Sequence, residues 1–253
     1  SRAGKVTGYE FYPAVMHSKA RLTYNQVAAY FDGATDAIPQ DKSVHKSLNT
    51  LFQLYQTLKE LRAKRHAMEF ETIETYMTFD ELGGIKEILP RTRNDAHKLI
   101  EECMLAANVC AAEFILQAKR KCLFRVHEGP TPEKLKNLRA FLKLSGLSLE
   151  GGDEPTTADY AQLAEQVKNR PDAAVLQTVM LRSMQQAVYT PEQKGHFGLA
   201  YEAYTHFTSP IRRYPDLLVH RTIKAILNET KYRPLKKWQE MGVQCSMTER
   251  RAD

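Results

Sequence analysis

Two adjacent arginines, Arg212 and Arg213, follow Ser209-Pro210-Ile211 in a stretch crowded with aromatic and basic side chains. From Gly195 to Ile226 the chain reads GHFGLAYEAYTHFTSPIRRYPDLLVHRTIKAI, with Phe197, Tyr201, Tyr204, Phe207 and Tyr214 among His196, His206 and His220. Ser209 suits a helix N-cap, and Pro210 suits the first helical position. Free N–H groups at such a helix start, together with two guanidinium forks, favour an anion and above all a phosphate. The competing use of a double arginine is structural, capping carbonyls or pairing with carboxylates. Pro215 either kinks this helix or marks where its regular part begins, since proline cannot donate to the preceding turn.

The elements that must hold these arginines follow from periodicity. Beyond Pro215, Leu218, Val219, Thr222, Ile223 and Ile226 form one helical stripe that should anchor in a core, while Asp216, His220 and Lys224 fall on another side. Earlier in the chain, Tyr9, Phe11 and Val15 suggest a strand, with Pro13 favouring an edge or a break. Thr23 then caps a short helix that ends at Asp32-Gly33. A long helix spans about Lys42 to Met68, with Val44, Leu48, Leu51, Tyr55 and Leu58 on one face and a basic C-terminal part. The segment EFETIETYMTFDELGGIKEILP reads as a hairpin with Gly83-Gly84 in its connection.

Asn94 caps a helix through about Lys119, whose apolar stripe is Leu99, Ile100, Cys103, Met104, Ala107, Cys110, Ala111, Phe114 and Ile115. Glu101 and Asn108 lie seven apart on another face, either as ordinary surface or as hydrogen-bonding partners for sugar hydroxyls. A short strand over Cys122–His127 precedes a helix from Pro132 to about Leu144, a loop over 145–157 and two helices at roughly 158–169 and 173–186. The fold class is α+β, mostly helical, with helices packed on a partial mixed or antiparallel sheet.

Composition limits the function classes. With 253 residues, 43% hydrophobic and 26% charged, the chain can bury a sizeable core as one large domain or two small ones. The formal net charge of +6 is compatible with a polyanionic partner. Cysteines at 103, 110, 122 and 245 show neither CxxC nor paired zinc spacing and read as thiols of a reducing compartment. No long apolar run or leader appears, which points to a soluble, cytoplasmic protein without membrane contact.

Several blocks, in order, resemble one family: ARLTYNQV, RNDAHKLIEECMLAANVCAA, FRVHEGPTPEKL, GHFGL followed by HFTSPIRRYPDLLVHR, and SMTERRAD. They are similar to the RNB catalytic domain of the ribonuclease II and ribonuclease R family, with closer agreement on the ribonuclease R side. The resemblance implies a processive 3′-to-5′ hydrolytic exoribonuclease that degrades single-stranded and structured RNA to nucleoside 5′-monophosphates. It implies two-metal chemistry with Mg²⁺, single-stranded RNA as partner, the ribosome and RNA-decay machinery as candidate partners, and a monomeric full-length enzyme.

The family's metal-binding aspartates are not seen. Asp32, Asp36 and Asp41 are scattered and do not resemble that cluster. Residues 1–253 therefore read as the C-terminal portion of one RNB domain, lacking the metal-binding part, the cold-shock domains and the S1 domain, and inactive alone.

Carried over residue by residue, the resemblance makes Arg212 the catalytic arginine, stabilising charge that grows on the scissile phosphate. Arg213 becomes a phosphate contact and Tyr24 a residue near the terminal nucleotide. Glu101 becomes a ribose contact, with Glu102 as the adjacent alternative, and Phe70 a platform for the last bases. The alternative reading is a non-catalytic RNA-binding module or an inactive scaffold.

Overall fold

Apolar residues recurring three and four apart place about half of the chain in helices. The computed structural model describes residues 1, 3–68, 74–91 and 93–252. Its elements run α1 (Tyr24–Phe31), α2 (Lys42–Lys64), β1 (Glu74–Phe79), β2 (Ile85–Arg91), α3 (Asp95–Gln117), β3 (Phe124–Val126), α4 (Pro132–Leu144), α5 (Thr157–Val167), α6 (Ala173–Ser183), β4 (Val188–Thr190), α7 (Tyr214–Leu227) and α8 (Trp238–Ala252). The strands form two separate two-stranded antiparallel sheets, β1–β2 and β3–β4. The α+β class holds, and its sheet component is antiparallel among the described residues.

The chain divides into two compact units, one of Ser1–Pro13, Glu60–Glu69 and Met104–Asp253 and one of Ala14–Lys59 and Phe70–Cys103. In the smaller unit, α1 begins with a reciprocal cap, in which the Thr23 hydroxyl accepts from Gln26 N–H and the Gln26 side chain accepts from Thr23 N–H. Ile38, Val44 and Leu48 form its core, packed against Leu22, Val27, Tyr30 and Phe31. Tyr55 is buried and donates its hydroxyl to Asp95 Oδ1 at 3.0 Å. The hairpin turn is held by Asp80 Oδ1, which accepts from Leu82 N (2.9 Å) and Gly84 N (2.7 Å).

In the larger unit, Ala111, Ile115, Cys122, Val219 and Ile223 make one buried cluster, so α3 and α7 share a core as their apolar stripes require. The α3 stripe is rotated from expectation: Leu105 is buried and Ile100 is exposed. The expected strand near Tyr9 and Phe11 does not form. A strand needs a partner ladder, and none of the described strands pairs with this segment. Phe11 packs instead on Phe114 and Phe207, with ring centroids 5.0 and 5.4 Å away. Strand β4 was not legible as a strand, because its three residues are too few to show a period.

Helix α8 meets β4 closely at Gly242, where a Cβ would overlap the Tyr189 carbonyl oxygen. Tyr189 N–H donates to Ser246 Oγ (2.8 Å), one turn further along α8. Gly242→Ala should therefore force the helix off the strand and cost about 1–3 kcal/mol. A denaturant midpoint equal to wild type would contradict that packing.

Candidate functional site

The site is built from the strip 204–216, which is regular only at its end. Tyr204 receives a hydrogen bond on its hydroxyl from Asn108 Nδ2 (2.9 Å), and Asn108 Oδ1 accepts from Phe207 N (2.9 Å). Thr205 Oγ1 donates to Leu123 O (2.7 Å). His220 stacks on Phe207 with centroids 4.3 Å apart, and its Nε2 lies 2.9 Å from Phe207 O. Helices α3 and α7 and the residue just before β3 thus pin this irregular segment, which accounts for its order without a ladder.

Arg212 and Arg213 sit on the turn that follows. Both N–H groups donate to Ser209 O, at 3.3 and 3.0 Å. Regular helix begins only at Tyr214, with Pro215 in its first turn, so Pro215 marks the start of α7 and does not kink it. Ser209 is not the N-cap. Its backbone N–H donates to Asp216 Oδ1 at 2.8 Å, and Arg213 Nη2 donates to the same oxygen at 2.9 Å. Asp216 is fully buried. Periodicity set it on a side apart from the apolar stripe, yet it is buried, and two donors from the preceding turn converge on Oδ1 to offset the cost.

The two arginines therefore differ. Arg213 commits its guanidinium to Asp216, the structural use of such a residue. Arg212 is exposed, and among the described residues its side chain makes no hydrogen bond or ion pair. A free guanidinium on a pinned turn can meet an incoming phosphate without first breaking an internal bond.

Asn108 is buried and fully engaged with Tyr204 and Phe207, so it offers nothing to a sugar hydroxyl. Glu101 and Tyr24 belong to the smaller unit. Glu101 is ion-paired with Arg93 and remains partly exposed, whereas Glu102 is buried. Tyr24 is 46% exposed and stacks on His97, centroids 4.0 Å apart. Phe70 lies outside the described residues.

Sequence reasoning missed Asp216 and the network behind the strip. The signal for Asp216 was an aspartate three residues after an arginine at a helix start. Behind the strip, His206 Nδ1 lies 2.8 Å from the Tyr189 hydroxyl, which also lies 3.4 Å from Glu249 Oε1. Glu249 accepts from Arg125 Nη1 at 2.6 Å, and Arg125 sits over the Tyr189 ring.

Burial, reinforced by Arg213 and Arg125, pushes His206 down to about 2. Burial, reinforced by His127 and Arg125, pushes His196 down to about 3. Both rings are neutral in the fold, so the unfolded chain binds protons first as pH drops below the ordinary 6.5. Their contribution is fully present above that pH and is lost as pH falls toward the folded values. Stability should decline below about pH 6.5 by about 1 kcal/mol per pH unit for each ring. Replacing His206 with Gln should flatten part of that slope in melts between neutral and mildly acidic pH; an unchanged slope would exclude it as a source.

Among the described residues no group of three or more His, Cys, Asp or Glu could hold a metal ion. The residues present do not fit a Mg²⁺ site, and no chemical step is derived through one.

The family model described as the RNB domain matches residues 1–229. The chain belongs to the RNB family. Among curated RNB relatives, ribonuclease R of Vibrio cholerae serotype O1 is 48% identical over 100% of this chain and 32% of its own length. Ribonuclease R of Escherichia coli K12 is 47% identical over 100% of this chain and 33% of its own. The chain thus spans about a third of the length of the curated relatives it matches. Among solved structures, Mycoplasma genitalium RNase R in complex with ribose methylated single-stranded RNA superposes with a TM-score of 0.89 at 26% identity, covering 98% of this chain and 40% of that one. In this RNB chain the HFTSPIRR motif is the strip whose turn presents Arg212.

Proposed function

We propose that this chain serves a 3′-to-5′ hydrolytic exoribonuclease acting on RNA to release nucleoside 5′-monophosphates. The observation that carries the reading is the division of labour between the arginines: Arg213 holds the turn through buried Asp216, and Arg212 is left exposed. In the proposed mechanism Arg212 meets the scissile phosphate and stabilises charge that builds on its oxygens. Tyr24 meets the terminal nucleotide and Glu101 the ribose hydroxyl, Glu101 leaving Arg93 or sharing it. The Mycoplasma relative's complex with single-stranded RNA supports RNA as the ligand.

Mg²⁺ belongs to this reading as a cofactor whose ligands lie outside this chain, as do a cytoplasmic location and a monomeric enzyme. None of the described helices is long and apolar enough to cross a membrane. The isolated chain should then bind RNA in a salt-dependent way yet release no nucleotides with Mg²⁺ present. Robust Mg²⁺-dependent release by the purified 253-residue chain would show that a metal site has been overlooked. A chain that binds RNA but confers no activity when joined to metal-binding sequence would favour the non-catalytic module.

A further inference from the structure

In the larger unit, the C-terminal ends of α3 and α7 and the segment leading into α8 border an open cavity of about 260 Å³. Lys119, Arg120, Lys121, Lys231 and Arg233 line it, and no acidic side chain does. Among the described residues none of these five cations is in an ion pair. The nearest acid in sequence, Glu229, is exposed and outside the lining.

The ordinary reason for basic residues at a helix C-terminus is to satisfy its last carbonyls. Here the backbone already does so. Past α3, Lys119 N donates to Leu116 O (2.9 Å) and Arg120 N to Ile115 O (3.1 Å). Past α7, Glu229 N donates to Ile226 O (3.0 Å) and Thr230 N to Ala225 O (2.8 Å). Both turns place a non-glycine residue in the left-handed region, Lys119 at φ 52° and Glu229 at φ 54°. The two helix ends are thus closed by backbone alone, and five cationic residues remain to line one hollow. Carbonyl capping does not use those charges.

Two aromatics, Tyr232 and Trp238, line the same cavity. Both pack against the buried cluster of Leu123, Tyr189, Leu218, Met241 and Cys245, which fixes their rings, and Tyr232 meets Trp238 edge-on at 6.1 Å. Cations with an adjacent aromatic surface match a polynucleotide strand better than a compact anion, since the backbone phosphates meet the charges and a base meets the ring.

We propose that this cavity is an RNA-binding site separate from the Arg212 turn, taking backbone phosphates of a single strand. The proposal rests on the RNA reading given above. It is tested with a fluorescent single-stranded oligouridylate and the full 253-residue chain. The variant Lys121→Gln, Lys231→Gln, Arg233→Gln should weaken binding about tenfold at low salt and flatten the log–log salt dependence by about one to two.

A variant with the same charge change elsewhere, Lys136→Gln, Lys143→Gln, Lys168→Gln, should stay within about twofold of wild type, because exposed lysines outside the cavity contribute only through net charge. Equal losses in both variants, or none in the first, would overturn the site while leaving the RNA reading intact. No binding by the wild-type chain would overturn both. As a check that needs no variant, oligouridylate carrying 4-thiouridine should photo-crosslink to wild-type peptides containing Lys231–Arg233; crosslinks confined to other peptides would overturn the site.

Discussion

Replacing Arg212 with alanine should lower RNA turnover about 10²–10³-fold, with RNA affinity changed far less. The expectation follows from the residue's freedom. Its guanidinium has no bond to any described residue, so its removal leaves no internal group unpaired and the fold should melt as wild type does. What is lost is a charge positioned to meet phosphate oxygens as they become more negative, and that contact is stronger in the transition state than in bound RNA. The measurement belongs in a chimera in which this chain replaces the matching third of an active ribonuclease R such as that of Vibrio cholerae. Equal losses in turnover and affinity would reduce Arg212 to a binding residue. Unchanged turnover would remove it from the chemistry.

Asp216→Ala should have the largest effect on stability, about 3 kcal/mol. Two donors converge on this carboxylate, and the side chain is fully buried while that of Arg213 is 20% exposed. Removing the acid strands a guanidinium in a mostly dry setting and frees Ser209 N–H. Water reaches Arg213 in part, which keeps the cost near the lower end of the range for broken buried pairs. The turn that presents Arg212 loses both bonds that the Asp216 side chain makes to it, so turnover in the chimera should fall with stability. Removing both charges, as Arg213→Met with Asp216→Leu, should recover much of the stability but not the turnover, because an apolar pair packs without defining the turn. Recovery of both would mean that the ion pair does not position Arg212.

Much of this was legible in the sequence where a period exists. Helices α2, α3 and α7 announce themselves through apolar stripes, and Thr23 and Pro132 announce helix starts, one by its capping chemistry and one by its fixed φ. The strip 204–209 was legible as functional but not as structure, since it has no period and is held by partners about a hundred residues away, such as Asn108. Asn108 shows the limit from the other side. On a helical wheel it is a polar residue beside Glu101, and only the approach of Tyr204 and Phe207 makes it a core group. Tyr9 and Phe11 have the composition of a strand, but composition cannot supply the neighbouring strand that a ladder requires. Ser209 and Asp216 changed roles together: a Ser-Pro pair reads as a cap and first turn until a proline five residues later offers a second start, and the carboxylate beyond it decides between them.

Chemical rescue tests the central claim most directly. In the Arg212→Ala chimera, free guanidinium ion should diffuse to the vacated position and restore a measurable part of single-turnover cleavage, whereas Arg213→Ala, whose defect is a broken turn, should gain nothing. Rescue of Arg213→Ala but not of Arg212→Ala would contradict the assignment of the two arginines, and failure to rescue either would leave the exposed guanidinium without its proposed part in the reaction.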